Sequence, residues 1–313
     1  MTTKEPTSQH RFKICSTALT LLAVIVAAGL CAAATTASPS RAPAANLHVV
    51  STTVRARSSP CAYSWPIKPF DRQHPVRSFL NDPRIGKKSA FHFGIDISAP
   101  DGTPLYAVEA GTVYRESPSA IAVLASDRSH SFGYWHIVPA VKHHQYVARH
   151  QLIGWIRKGW EHVHFAERRG GVYVNPLRPG GLGPYVDRTA PTVRRITVTR
   201  DVVVVDAFDT QSPSVPGAWR GEPVTPALLQ WRIAGTSAWH TIADFRSVML
   251  PASRFGEIYA PNTLQNHKGV PGRFCFYLAR GSVARALDRP GCTIEVQAID
   301  TAGNRTVVVW QNV

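Results

Sequence analysis

The stretch 91-FHFGIDIS-98 decides the fold of the first part of this 313-residue chain. Apolar residues occupy every second position, and His92, Gly94 and Asp96 occupy the positions between them. This two-residue period is typical of a β-strand with one apolar and one polar face. On the polar face, the small Gly94 leaves room for an ion or a substrate between an imidazole and a carboxylate.

A second stretch, 161-EHVHFAE-167, has the same alternation and places His162 and His164 on one face. If two such strands lie side by side, their imidazoles and the Asp96 carboxylate come together. Zinc binds nitrogen and oxygen ligands in tetrahedral geometry, and a catalytic zinc keeps three protein ligands and one open position. The two stretches therefore predict a zinc site, with further imidazoles nearby for proton transfer.

Short apolar segments continue through residues 61–183, and turn residues separate them. Short strands at close spacing predict an antiparallel β fold. Proline and glycine then crowd the stretch 178-RPGGLGPYVDRTAP-191, which predicts a domain boundary. Residues 190–313 repeat the strand-and-turn rhythm and predict a β-sandwich. The turn at residues 300–304 has too few acidic residues for a calcium loop, so we expect a plain hairpin turn.

The N-terminal residues 1–37 have the pattern of a secretory signal. Three basic residues precede an uncharged, strongly apolar run from Ile14 to Ala34, and small residues follow it. The run is also just long enough to span a bilayer, so an uncleaved membrane anchor remains the alternative. Leu30 precedes Cys31 where a lipoprotein site needs a small residue, so lipidation is not predicted. Residues 38–60 are rich in Ala, Ser, Thr, Pro and Arg and predict a linker.

Export would place the cysteines in an oxidising compartment. Cys275 and Cys292 flank two strand-like stretches, which predicts a disulfide between them and leaves Cys61 without a partner.

The formal net charge is +15, from 35 Lys and Arg against 20 Asp and Glu. Such an excess favours polyanions such as acidic cell-wall polymers. Nucleic acid is not expected, because the charge is spread along the chain and no nucleic-acid-binding motif accompanies it.

Five motifs occur in an order that resembles the lysostaphin-type, or LytM-type, metallopeptidases, which cut peptide bonds in bacterial peptidoglycan. They are HFGID (92–96), DGTPLYAVEAGTV (101–113), YWH (134–136), LIGWI (152–156) and HVHFAE (162–167). The resemblance implies an all-β fold of the duplicated hybrid motif type for residues 61–183.

The resemblance also implies roles for individual residues. His92, Asp96 and His164 would bind Zn²⁺, and His162 and His136 would be catalytic. Trp135 replaces a residue that is usually small in the family, and Trp160 lies where the family has a glycine-rich loop. Both changes predict an altered groove and therefore bear on the substrate.

The second predicted domain resembles bacterial immunoglobulin-like or fibronectin-like modules through DRTAPTV (187–193) and AIDTAGN (298–304). Such a module would bind cell wall, position the first domain or act as a spacer. Three functions remain open: an exported peptidoglycan endopeptidase, a non-catalytic cell-wall-binding or regulatory protein on the same fold, and a structural surface protein. All the expected ligands are present, which favours the enzyme. A membrane would be a partner only if the N-terminal segment is retained.

Overall fold

The computed structural model describes residues 47–52 and 61–312, and these residues are mostly β. The predicted signal or anchor at residues 1–37 lies outside the described residues. Among the residues that are described, no helix is long and apolar enough to cross a membrane. The expectation of a mostly β protein is confirmed.

Residues 61–183, termed the first region, form strands that are short and antiparallel. After strand β1 (Leu47–Thr52), the strands of the first region are β2 (Val76–Ser78), β3 (Pro83–Arg84), β4 (Ala90–Phe91), β5 (Ile95–Ser98), β6 (Pro104–Tyr106), β7 (Gly111–Ser117), β8 (Ala120–Ala125), β9 (His130–Trp135), β10 (Ile137–Pro139), β11 (Tyr146–Val147), β12 (Leu152–Ile156), β13 (His162–Arg169) and β14 (Val172–Val174).

The main sheet of the first region has the order β11-β7-β8-β9-β13-β5-β2, with β14 paired to β13, and a smaller sheet has the order β10-β12-β6. Strands β5 and β13 are antiparallel neighbours, with His164 opposite Asp96 and His162 opposite Ser98. The apolar residues that alternate with these, such as Ile97 and Val163, are fully buried in the core of the first region. Burial of that face directs the polar residues to the other side of the sheet.

The stretch from Phe91 to Ser98, expected as one strand, forms two short strands with residues 92–94 between them. His92 pairs through its backbone with Asn81 and Asp82, whereas the residues of β5 pair with β13 and β2. The interruption therefore marks the point where the chain changes hydrogen-bonding partners.

Residues 190–312, termed the second region, contain two antiparallel sheets and two short helices. The elements are β15 (Thr192–Val198), β16 (Val202–Thr210), β17 (Pro223–Val224), β18 (Leu228–Ile233), β19 (His240–Asp244), α1 (Phe255–Ile258), β20 (Cys275–Arg280), α2 (Gly281–Leu287), β21 (Thr293–Ile299) and β22 (Arg305–Gln311), with 3-10 turns at Gly217–Trp219 and Ala252–Arg254.

One sheet of the second region has the order β1-β22-β21-β18-β19, and the other joins β15, β16 and β17, with β20 paired to β16. Apolar residues of both sheets, including Val205 and Phe276 from one and Val296 and Val308 from the other, belong to a single buried cluster. This two-layer packing agrees with a sandwich, and its immunoglobulin-like character stays a prediction.

Two further expectations are wrong. Residues 47–52, which lie in the predicted linker, form β1 and pair along β22 from Leu47–Trp310 to Thr52–Arg305. The composition of residues 38–60 suggested a linker, but residues 47–52 are β-prone and form the edge strand of a sheet.

Cys275 and Cys292 are free rather than disulfide-bonded. Cys275 begins β20 and Cys292 precedes β21, and these strands belong to different sheets.

The two regions share a buried boundary. Phe91 of β4 is 2% exposed and packs in the core of the second region, against the rings of Phe255 and Tyr259 at centroid distances of 5.3 and 5.9 Å. The side chain of Asn81 donates to the Val248 carbonyl oxygen (3.0 Å). The described residues of both regions accordingly form one compact unit.

Asp82 is the central polar contact at this boundary. One carboxylate oxygen accepts the backbone N–H (3.0 Å) and hydroxyl (2.6 Å) of Thr225 from the second region. The other accepts the Ser78 hydroxyl and the Phe79 backbone N–H, both at 2.8 Å. Asp82 is 2% exposed, so water cannot replace it as the acceptor.

The substitution Asp82→Ala is expected to lower the free energy of unfolding by about 3 kcal/mol, because it leaves buried donors unpaired on both sides of the boundary. Equilibrium urea unfolding measures the change. Asp127→Ala is the matched control, since Asp127 is exposed and accepts bonds only from Ser129 among the described residues, and its cost is expected below about 1 kcal/mol. Equal losses in the two variants would contradict this role for Asp82.

Candidate metal centre

Three buried side chains converge between β4, β5 and β13. The His92 Nε2 atom lies 2.7 Å from His164 Nδ1 and 3.2 Å from Asp96 Oδ1, and His164 Nδ1 lies 3.1 Å from the same oxygen. Ligands 2.0–2.1 Å from a tetrahedral zinc are about 3.3 Å apart. The donor set of two imidazole nitrogens and one carboxylate oxygen therefore fits zinc in both chemistry and spacing.

Contacts behind the ligands orient them. His92 Nδ1 lies 2.9 Å from the Phe79 carbonyl oxygen, and a proton donated there leaves the lone pair of Nε2 directed at the cluster. The Arg84 guanidinium donates to Asp96 Oδ2 at 3.0 Å, so Oδ1 faces the two histidines. The ring of His164 packs between Phe93 and Trp135, at centroid distances of 4.2 and 5.1 Å.

Gly94 is required by this packing. A Cβ atom at position 94 would lie 2.3 Å from the Phe165 carbonyl oxygen and 3.0 Å from the His164 ring. Both distances are too short for a side chain, so the glycine lets β5 approach β13 closely enough for Asp96 and His164 to meet.

The protonation states of His92 and Asp96 suit a divalent cation. Burial lowers the pKa of His92 to about 3, so its imidazole is neutral at pH 7. Burial by itself would raise the pKa of Asp96, but His92, His162 and a hydrogen bond from His164 hold that pKa well below its usual value. Metal binding needs neutral imidazoles and an ionised carboxylate, because a proton on the donor atom competes with the metal.

His162 lies beside His92, Asp96 and His164, but it is farther from the Asp96 carboxylate than the other two histidines are. Its Nε2 atom is 3.5 Å from Asp96 Oδ1. Its Nδ1 atom is 2.6 Å from the Trp160 carbonyl oxygen and 2.5 Å from the Arg77 guanidinium. With a proton on Nδ1, this atom donates to the Trp160 carbonyl and the Nε2 lone pair is free, whereas in the other tautomer Nδ1 accepts from Arg77. Burial is the main cause that lowers the pKa of His162, and the Arg77 charge adds to it.

His136 lies between β9 and β10 and reaches the same place. Its φ of 65° is uncommon for a residue with a side chain and turns the chain sharply at the end of β9. The ring stacks on Trp160 at a centroid distance of 3.6 Å and lies 4.7 Å from the ring of His162. Burial lowers the pKa of His136 to about 3.

All five residues singled out by the sequence border one cavity of about 490 Å³. The tryptophans that depart from the family pattern lie at its edge: Trp135 packs against His164, and Trp160 is 40% exposed. A cavity is therefore present beside His92, Asp96 and His164, although Trp135 and Trp160 are both bulky.

The second region supplies part of the cavity wall, through Trp219, Gln265, Asn266 and Phe274. The guanidinium of Arg77 lies 3.9 Å from the centre of the Trp219 ring and also contacts His162, so this wall is linked to the histidine. Sequence analysis missed all four wall residues, as well as Arg77 and Arg84. They belong to no motif, and the wall residues come close to the histidines only through the packing of the two regions.

The comparisons with known proteins concern the same part of the chain. Residues 90–176 of the 313 match the model for peptidase family M23. No curated protein matches the chain. Among solved structures, the catalytic domain of the antimicrobial peptidase lysostaphin from Staphylococcus simulans is similar with 24% identity, over 32% of this chain and 86% of that one, with a TM-score of 0.29.

Two further solved structures have comparable similarity. A zinc-containing peptidase from Vibrio cholerae is 25% identical over 36% of this chain and 39% of that one, with a TM-score of 0.31. LytU is 22% identical over 35% of this chain and 86% of that one, with a TM-score of 0.29. The part of the chain that matches peptidase family M23 contains all five clustered residues, from His92 to His164.

Proposed function

We propose that this protein is an exported zinc metalloendopeptidase that hydrolyses peptide bonds in bacterial peptidoglycan. The observation that carries the proposal is the convergence of His92, Asp96 and His164 within 2.7–3.2 Å of one another, inside the segment that matches peptidase family M23. Two further histidines line the same cavity, which gives the site groups for proton transfer as well as for metal binding.

His92, Asp96 and His164 would hold the zinc ion through Nε2, Oδ1 and Nδ1. When bound, zinc polarises a carbonyl group and lowers the pKa of water. Arg84 keeps the second oxygen of Asp96 occupied, so the carboxylate offers one oxygen to the metal. The neutral state of His92 means that no proton has to be displaced from it at pH 7.

His162 is the residue we assign as general base. With its Nδ1 proton donated to the Trp160 carbonyl, Nε2 can accept a proton from water and return it to the leaving amine. We assign to His136, whose ring is 4.7 Å from that of His162, the donation of a hydrogen bond to the oxygen on which negative charge develops. Stacking on Trp160 holds the His136 ring in position for this.

The surroundings of the site support a cell-wall substrate. Both regions line the cavity, so a peptide bound there would contact both. The net charge of +15 favours adsorption to anionic cell-wall polymers, and this adsorption would weaken with added salt. We propose a secreted or cell-wall-associated location, on the basis of the apolar N-terminal segment. An uncleaved segment would anchor the protein to the membrane instead.

The first prediction for the metal centre concerns metal binding. The purified protein is expected to retain one zinc ion per chain after gel filtration, and His164→Ala is expected to lose it, because two donors hold zinc too weakly. Metal analysis of the protein peak measures the stoichiometry. His144→Asn is the control, since His144 is exposed and asparagine tolerates its positive φ of 64°. Retention of zinc by His164→Ala would refute the ligand assignment.

The second prediction separates catalysis from metal binding. His162→Ala is expected to lower kcat by about 10²- to 10⁴-fold, because it removes the general base, while one zinc ion is retained. The rate is measured as the release of free amino groups from purified peptidoglycan. If the zinc-loaded wild-type protein binds peptidoglycan but releases no amines, the non-catalytic alternative on the same fold is correct.

The third prediction tests the wall from the second region. Trp219→Ala is expected to raise KM for peptidoglycan fragments about tenfold, which corresponds to about 1.4 kcal/mol of lost contact, and to leave the zinc content unchanged. Trp239→Ala is the control, because Trp239 stacks with Arg232 and does not line the cavity. An unchanged KM in Trp219→Ala would show that the substrate does not contact this wall.

A further inference from the structure

Three buried aspartates meet at a second place, in the second region and the segment that leads into it. One ligand oxygen from each of Asp187, Asp209 and Asp300 lies within 4.8 Å of the others. Asp187 and Asp209 are 0% exposed and Asp300 is 2% exposed. Among the described residues, none of the three forms an ion pair with an arginine, lysine or histidine.

Local hydrogen bonds fix the orientation of each carboxylate. Asp187 Oδ1 accepts the backbone N–H (2.8 Å) and the hydroxyl (2.6 Å) of Thr189. Asp209 Oδ1 accepts the backbone N–H of Thr210 at 2.8 Å. Asp300 Oδ1 accepts the backbone N–H of Asn304, also at 2.8 Å, and Asp300 Oδ2 accepts the side-chain amide of Asn304 at 2.6 Å. Asp187 and Asp209 are therefore each held through one oxygen, and Asp300 is held through both, by donors from residues that follow them in the chain.

The second oxygens of Asp187 and Asp209 are buried and have no hydrogen-bond partner within the described part of the chain. An ionised oxygen in that position loses its hydration and gains nothing in return. Three neighbouring carboxylates add mutual repulsion, which is strong in a buried environment. Within the described part of the chain, the three carboxylates therefore have no positive charge that balances their own.

The hydroxyl of Tyr185 provides an independent observation. It is buried and unpartnered as well, and it belongs to a residue two positions before Asp187. Among the described residues, a neutral oxygen donor without a partner therefore lies two residues before Asp187, whose second oxygen is also unpartnered.

We propose that Asp187, Asp209 and Asp300 bind one Ca²⁺ ion, with the Tyr185 hydroxyl beside it. Only oxygen donors are present, which favours a hard cation over zinc. Mg²⁺ keeps several water ligands, whereas Ca²⁺ accepts irregular sets of six to eight oxygens. The near-complete burial of the aspartates therefore favours Ca²⁺. The turn at residues 300–304, expected to be a plain hairpin because its acidic residues are few, gains the missing carboxylates from two distant segments.

The position of the site gives the ion a structural role. Asp187 belongs to the segment between the two regions, Asp209 to β16, and Asp300 to the connection between β21 and β22. The ring of Tyr185 also packs against Phe79 of the first region, at a centroid distance of 6.5 Å. A bound cation would therefore fasten the connecting segment to both sheets of the second region, which carries the wall of the groove.

The test is a calcium titration of the full chain, kept saturated with zinc and followed by thermal unfolding. At a Ca²⁺ concentration 100-fold above the dissociation constant, Tm is expected to rise by roughly 5 to 10 °C. Isothermal titration is expected to give one ion per chain. His164→Ala, which is expected to lack zinc, should show the same rise in Tm on addition of Ca²⁺, because the zinc ligands belong to a different site.

Asp209→Asn is expected to abolish the response to Ca²⁺, since it removes one anionic ligand while preserving size and shape. Asp201→Asn is the matched control, because the Asp201 side chain is 78% exposed in the same region, and it should respond like the wild type. Terbium luminescence, excited through Tyr185 and displaced by Ca²⁺, gives a second readout on the wild-type protein that Tyr185→Phe should weaken.

Two results would overturn the proposal. If the carboxylates are neutralised by shared protons, Ca²⁺ would leave the wild-type Tm unchanged at pH 7.5. An equal shift from Mg²⁺ at the same concentration would refute the assignment to calcium. Loss of zinc-dependent hydrolysis has no bearing on either result, so this inference and the proposed function fail or succeed separately.

Discussion

The pairing of β5 with β13 is the constraint on which the candidate metal centre depends. His164 lies opposite Asp96 because the two strands are antiparallel in this register, and the apolar residues that alternate with them are fully buried. A shift of one residue would turn the imidazole and the carboxylate into the core and expose the apolar face. The hydrophobic effect thus sets the register, and the register brings the ligands together. Gly94 then allows the close approach that the ring of His164 needs.

The groove beside the metal centre is a product of both regions. Trp219 and the residues near Gln265 complete a wall that the first region lacks. Contacts of Asp82 with Thr225, and of Phe91 with the core of the second region, hold this wall in place. The second region is therefore part of the candidate site, because its residues form one wall of the cavity. The stability of this boundary and the shape of the groove are coupled, because the same buried contacts determine both.

Two clusters of buried polar groups in this molecule differ in how their charge is balanced. At the proposed zinc centre, the Arg84 guanidinium and the neutral imidazole of His92 lie against a single carboxylate, so the negative charge is balanced before any metal binds. At the second cluster, three carboxylates share a buried space without a basic partner among the described residues. The first arrangement offers nitrogen and oxygen donors, and the second offers oxygen alone. The difference in donor type is the reason that we assign different ions to them.

Alternation along two short stretches was enough to select four of the residues that border the cavity, because a period of two leaves few ways to bury the apolar positions, whereas His136 was selected only through the family resemblance. The succession of short apolar segments predicted the mostly β fold. Other features depended on contacts between distant parts of the chain. The wall at Trp219, the support from Arg77 and Arg84, and the pairing of residues 47–52 with β22 leave no local pattern. The same holds for the aspartates: the turn at residue 300 is acidic at one position, and only folding adds Asp187 and Asp209 to it. Local periodicity records which face of a strand is buried, but the identity of the element that packs against that face is decided by tertiary structure.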